Sequence, residues 1–474
     1  MARNTREIRI RKQLRGFVVI WAGITFIMGA VTFIAIYMAY GQLNDTRFGG
    51  TLRNVTIPET AQSVVEVSQP TVAISSPTAI PTRDLAAIAA QQTSTAQSAP
   101  TNPPAVTPTL LPVEVHRFQL GTQVQLSYDL MDQWMDVAAN QLDVNWVKQQ
   151  VRWQDIEPEE GVFDWVPLDI FLPAAQRQNL KVLISVVTAP DWAREEGVDL
   201  TRNGPPADPQ DYANFLTAIL NRYPGMVHAI EVWNEENLDR EWTSTRGLTA
   251  ANYVELLHAS YEAVKAVDPG VIVISGALSP TGVSDGVGAW DDFVYLDQLI
   301  AAGLLNYADC IGAHHNGINV SPDYTWDAVP NDPSATFRGP FDNPHHSWSF
   351  RSTLQTYASK IALAGGDQKL CVTEFGWASA EGLEGIPEGF GFAQDNTLDE
   401  QRDFTIAALN NMVEWDIVQI AILWNLNYGP QAGWDPTNDN VPYSIIGPGF
   451  QFRPVFDAVR DWNRTYEAQF QPGT

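Results

Sequence analysis

Two segments of the chain each end an apolar run of strand length on a glutamate: Glu231-Val232-Trp233-Asn234-Glu235-Glu236-Asn237 and Val372-Thr373-Glu374-Phe375-Gly376-Trp377. A third, Val151-Arg152-Trp153, ends on a cation. Two carboxyls brought face to face supply a proton donor and a nucleophile or base, the pair that cleavage of a glycosidic bond requires. Glu235 and Glu374 are the candidates by position. Double displacement needs the carboxyls about 5 to 5.5 Å apart, and direct attack by water roughly 6.5 to 9.5 Å. Glu236 is read as a solvated neighbour, because successive strand residues point to opposite faces. Glu231 and Glu157 are read as structural. The competing reading of Glu374 is a structural ion pair with Arg152.

From Val113 onward, strand-length apolar runs alternate with helix-length amphipathic stretches, the pattern of repeated β-α units around a parallel sheet. Strands are expected near 118–126, 146–152, 181–187, 229–233, 271–275, 310–314, 370–374 and 418–424, with helical patterns such as 253–267 and 400–415 between them. Eight units predict an α/β fold, a closed (β/α)8 TIM barrel, rather than an open doubly wound sheet. Reactive groups in such a barrel project from the C-terminal strand ends, where the β-α loops form the open mouth. Strands four and seven face each other across it. No phosphate loop or G-x-G-x-x-G follows any of the strands, so no nucleotide cofactor is expected.

Trp233-Asn234-Glu235 and Thr373-Glu374-Phe375-Gly376-Trp377 resemble the paired signatures of clan A glycoside hydrolases, retaining enzymes built on TIM barrels. The Arg152-Trp153-Gln154-Asp155-Ile156-Glu157-Pro158 segment with Gly161-Val162-Phe163-Asp164-Trp165, and Ala189-Pro190-Asp191-Trp192, resemble the loops after strands two and three. The four segments occur in the clan's order, and the resemblance spans about residues 113–462. It implies Glu235 as general acid/base, Glu374 as nucleophile and Asn234 as hydrogen-bond partner of the sugar 2-hydroxyl. It further implies that Arg152 keeps Glu374 ionised while Glu235 holds an elevated pKa. Trp424, at the end of strand eight, would form a stacking floor for the sugar, which Trp377, Trp153 and Trp192 would extend. His314 fits a clan segment in which a histidine precedes a tyrosine by two positions. Asn316 stands where that tyrosine would orient the nucleophile, which leaves the role open to a residue such as His315 or Tyr324.

The remaining sequence narrows the partners. Among 474 residues, 28 Lys and Arg face 55 Asp and Glu, and the formal net charge of -27 repels phosphate backbones, so nucleic acid is excluded. A neutral carbohydrate meets no such barrier. Cys310 and Cys371 read first as two small buried hydrophobes and second as a single bridge between neighbouring strands. His314, His315, His345 and His346 are read as no metal site, since adjacent histidines should point apart and no carboxylate completes a ligand spacing. The acidic run 435–440 lacks the EF-hand order of ligands and reads as a solvated loop.

Residues 17–40 are uncharged and apolar, long enough to span a bilayer. Arg3, Arg6, Arg9, Arg11, Lys12 and Arg15 precede them against only Glu7, which places a basic cytoplasmic segment at 1–16 and everything after 40 outside. A cleavable signal ending near Ala39-Tyr40-Gly41 is the rival reading. Residues 41–112 are rich in Ser, Thr, Pro, Ala and Gln and read as a disordered tether; 113–474 form the catalytic domain. Expected partners are a carbohydrate substrate and, through the N-terminal helix, the membrane. The alternative functions are a glycan-binding barrel without turnover and a transglycosylase that remodels surface polysaccharide. Sugar, linkage and oligomeric state have no readable code.

Overall fold

Each of the eight apolar runs forms a parallel strand: β1 (Gln119–Gln123), β2 (Trp146–Arg152), β3 (Lys181–Val187), β4 (Ala229–Val232), β5 (Ile272–Ser275), β6 (Ile311–Gly317), β7 (Leu370–Trp377) and β8 (Val418–Leu423). The computed structural model describes residues 117–333, 335, 338 and 344–470, so the expected membrane span at 17–40 and tether at 41–112 lie outside the described residues. The strands are ordered β5-β4-β3-β2-β1-β8-β7-β6. Isolated parallel bridges Ile274–Cys310 and Leu278–Ala313 join the two edges into a nearly closed barrel.

A helix follows every strand: α1 (Met131–Asp136), α2 (Val166–Arg177), α3 (Pro209–Arg222), α4 (Ala250–Val267), α5 (Asp292–Ala302), α6 (Phe350–Leu363), α7 (Leu398–Trp415) and α8 (Pro454–Ala468). Their starts are written locally. Asp208 caps α3 ahead of Pro209, and Thr397 with Glu400 forms a reciprocal capping box on α7. Among the described residues no helix is long and apolar enough to cross a membrane.

The barrel interior is filled by Trp146, Leu183, Ala229, Ile272, Ile274, Ile420, Ile422 and the two cysteines. Gly121 makes room for Trp146, since a Cβ there would lie 2.6 Å from the Cβ of Trp146. Cys310 and Cys371 are joined as a disulfide with a Cα–Cα distance of 5.8 Å, so the first reading, a free pair, is corrected. Neighbouring strands bring the two thiols together, which the separation of 61 residues conceals.

β6 and β7 extend to Gly317 and Trp377, beyond their expected ends at 314 and 374. Glu374 therefore sits inside β7 rather than at its tip. The β6–β7 register shifts at Ala313/His314 and the β7–β8 register between Val372 and Phe375, with the extra residue on β7 each time. This is a bulge centred on Thr373 and Glu374, the kind of irregularity that re-aims one side chain without breaking the sheet.

Candidate active site

Beyond Val232 the β4 chain turns sharply. Trp233 and Glu235 both adopt positive φ, at 78° and 48°. Non-glycine residues persist there only when their surroundings fix them. Here the surroundings are polar ties: the Glu235 amide donates to Ala277 O at 3.0 Å, Trp233 Nε1 to Glu241 O at 3.0 Å, and Asn237 Nδ2 to Ser279 O and Trp290 O at 2.9 and 3.0 Å. The turn aims Glu235 at the barrel mouth.

One imidazole then connects both candidate carboxyls. His314 on β6, 1% exposed, places Nδ1 3.3 Å from Glu235 Oε1 and Nε2 3.8 Å from Glu374 Oε1. A single ring with two such contacts keeps the carboxyls inside the ~9.5 Å that two-carboxylate glycosidases span at most. Glu374 is gripped on both oxygens: Lys148 Nζ donates to Oε1 at 3.3 Å and Asn316 Nδ2 to Oε2 at 3.4 Å. Asn316 thus makes the contact for which His315 and Tyr324 were the sequence candidates; Tyr324 is 40% exposed. Asn234 is buried, and its side-chain oxygen has no hydrogen-bond partner among the described residues.

The cation beside Glu374 is Lys148, not Arg152. The Arg152 side chain is 47% exposed, pairs with Asp155 at 3.4 Å and lines a separate cavity of about 450 Å³ with Gln125, Tyr128 and Tyr428. Lys148 lies on the same face of β2 but deeper, fully buried, 3.1 Å from Glu231 and also bonded to Thr373 O at 3.2 Å. Thr373 Oγ1 donates to the other oxygen of Glu231, which makes Glu231 the buried anchor of the network. Burial lowers the Lys148 pKa, but the charges of Glu231 and Glu374 outweigh it and raise it above its ordinary value.

The expected elevated pKa of Glu235 is also corrected. Burial raises this carboxyl, but the hydrogen bond and charge of His314 and the Arg240 guanidinium, 2.8 Å away, bring it down to about 2. Burial lowers His314, while Glu374 and Glu235 more than offset this and raise it. The proton thus rests on the ring side of the His314–Glu235 hydrogen bond. Sequence reasoning missed Arg240 and Lys148, because a lone cation in a loop or strand carries no motif.

Glu236, expected in solvent, is fully buried and neither carboxyl oxygen has a hydrogen-bond partner among the described residues. Gly276 makes room for it, since a Cβ there would lie 2.1 Å from Glu236 Oε2. Burial, with the charges of Glu231 and Glu235 added, pushes its pKa up to about 8. A carboxyl raised on folding binds a proton that the unfolded chain releases, so it removes stability as pH climbs from the unfolded value toward 8. Glu236→Gln, uncharged at every pH, is expected to raise the unfolding midpoint at pH 8 and leave it near wild type at pH 4. Parallel midpoint-against-pH curves for the two proteins would contradict the protonated state.

Of the aromatic candidates, Trp424 is partly exposed and tilts against Tyr428 with ring centroids 4.9 Å apart; the Trp424–Asn425 peptide is cis. Trp153 and Trp377 are corrected to core residues. Trp153 stacks on Phe215 and donates to Glu157 Oε2 at 2.7 Å, while Trp377 packs on Phe350 and donates to Val320 O at 2.9 Å. Neither leaves a ring face for a sugar. Trp192 is half-buried against Trp153. Beside Glu235, a cavity of about 200 Å³ is walled by His315, Asn316, Arg338, Ser347 and Trp348.

Fold and site together define a TIM barrel with two carboxylates bridged by a histidine, one just beyond its fourth strand and one within its seventh, and this chain resembles clan A glycoside hydrolases. Residues 131–215 match the family model of glycoside hydrolase family 42, described as beta-galactosidase. That match ends before β4 and includes neither glutamate. A family 39 glycoside hydrolase from Bacteroides cellulosilyticus WH2 shares the fold with a TM-score of 0.51 at 18% identity, over 73% of this chain and 63% of that one. A glucosidase from Croceicoccus marinus does so with a TM-score of 0.50 at 15% identity, over 75% and 69%. The chain thus spans less than two thirds of the first of these structures. No curated protein matches it in sequence.

Proposed function

We propose that this protein is a retaining glycoside hydrolase that cleaves O-glycosidic bonds of an extracellular oligo- or polysaccharide by double displacement. The observation that carries the reading is the His314 ring in contact with both Glu235 and Glu374. Glu374, its oxygens fixed by Lys148 and Asn316, attacks the anomeric carbon. The leaving oxygen takes its proton from Glu235, which draws on the proton held by His314. Glu235 then removes a proton from the water that opens the glycosyl-enzyme. Asn234 binds the sugar 2-hydroxyl through its unpaired amide oxygen, and Trp424 packs on the sugar ring.

The apolar 17–40 segment and the cations before it support an anchored enzyme with a cytoplasmic N-terminus and an outward-facing barrel. The Cys310–Cys371 disulfide agrees with an oxidising compartment.

The test is a screen of aryl glycosides and soluble polysaccharides, with the first-formed product of any hit followed by NMR. Release of the anomer with retained configuration is expected. An inverted first product would refute double displacement. Saturable glycan binding without turnover would make the chain a binding barrel, and products lengthened by an added sugar acceptor would make it a transglycosylase.

A further inference from the structure

The loop after β6 returns to the barrel through His345, His346, Ser347 and Trp348, against the start of α5. His346 Nε2 lies 3.2 Å and His345 Nε2 3.8 Å from one oxygen, Asp291 Oδ2. The three ligand atoms all fall within 4.8 Å of one another. This corrects the expectation that adjacent histidines diverge. His345 is extended, with φ at -130°, whereas His346 opens a 3-10 turn, and that change of direction brings the two rings together, tilted by 40° with centroids 4.0 Å apart.

We propose that Asp291, His345 and His346 form a binding site for a divalent transition-metal ion of the zinc type. Zinc–nitrogen bonds of about 2.0 Å place tetrahedral neighbours ~3.3 Å apart, and the observed separations straddle that spacing. Two imidazoles and one carboxylate suit a borderline metal, whereas calcium and magnesium demand mostly oxygen ligands.

The ligands are also oriented from behind. Asp291 caps α5 through Oδ1, which accepts from the Val294 amide at 3.2 Å, and this turns Oδ2 toward the rings. His346 is stacked on Phe293 at 3.7 Å. Ser347 Oγ lies 3.0 Å from His345 Nδ1 and accepts the proton that must move there when Nε2 binds metal; the Ser347 amide, which donates to Nδ1 at 3.2 Å, gives up that bond. The N-terminus of α5 opposes a cation. Asp291 and the fully buried Asp292, whose Oδ1 is 2.9 Å from His346 Nε2, supply two negative charges against it. Three protein ligands leave a fourth position for water. Ser347 and Trp348 wall the cavity beside Glu235, so a metal on the two preceding residues pins that wall to α5. The inference does not depend on the reaction proposed for the site.

The test uses the full-length chain without a histidine tag, stripped with a chelator and titrated with Co²⁺ and then Zn²⁺. One equivalent of Co²⁺ is expected to bind with visible bands of four-coordinate intensity, to be displaced by Zn²⁺, and Zn²⁺ is expected to raise the unfolding midpoint. Asp291→Asn keeps a competent helix cap. It and His345→Gln should each weaken binding at least ~10-fold, while His258→Gln, remote from the cluster, should not. Absence of saturable Co²⁺ binding would reduce the cluster to His–Asp ion pairs. Undiminished binding in both ligand variants would put the metal elsewhere. Either result overturns the proposal.

Discussion

Glu374→Ala is expected to lower kcat by ~10⁴-fold or more on any substrate the wild type turns over, on the scale seen when a catalytic nucleophile is removed. The loss should not come from unfolding. Lys148 keeps its contacts with Glu231 and Thr373 O, and Glu374 takes no part in the apolar packing of the barrel interior. Thermal unfolding measured beside the kinetics separates the two causes. Added azide should restore part of the turnover by entering the space vacated by the carboxylate, and the glycosyl azide should carry the anomeric configuration opposite to the wild-type product. Undiminished hydrolysis by a folded Glu374→Ala protein would reject the nucleophile assignment. Loss of activity together with the folding transition would instead show that Glu374 holds the barrel together.

Lys148→Met should be strongly destabilising. Methionine fills a similar volume but removes the positive charge between two carboxylates. Breaking a buried ion pair from one side costs about 3–5 kcal/mol, because the partner stays buried without its counter-charge. Here Glu231 is fully buried and, among the described residues, would keep Thr373 Oγ1 and the His314 ring, 3.9 Å away. Urea unfolding near neutral pH measures the loss. Activity should fall as well, since Glu374 Oε1 loses its hydrogen-bond donor. Arg152→Met is the control, because its charge is exposed and paired with an exposed carboxylate; its stability should stay within about 0.5 kcal/mol of wild type. Equal losses in both variants would mean that the buried network contributes no more than a surface pair.

Much of this molecule was legible in the chain because strand-length apolar runs, the helical stretches between them and helix caps are local. The runs at 146–152 and 181–187 have the bounds of β2 and β3, and the 400–415 pattern lies within α7. Side-chain depth was less legible. A period of two places Lys148 and Arg152 on one face of β2, and only the stagger of the closed barrel puts the lysine at the level of Glu374 and the arginine above it at the rim. The same limit explains Trp153 and Trp377, which belong to the motif segments yet turn into the core. The elevated Glu235 pKa followed from considering two carboxyls alone; Arg240 and His314, distant or unmarked in sequence, reverse it.

The sequence by itself determined a parallel β-α barrel, the strand that leads into Glu235 and the strand that carries Glu374, since periodicity and short motifs need no knowledge of distant residues. Tertiary structure alone decided what surrounds them: the bulge that turns Glu374 inward, the ring that joins the carboxyls, the burial of Glu236, the Cys310–Cys371 bond and the convergence of His345 and His346 on Asp291. Each depends on strand stagger or on a contact between segments far apart in the chain, and neither quantity is encoded in local spacing.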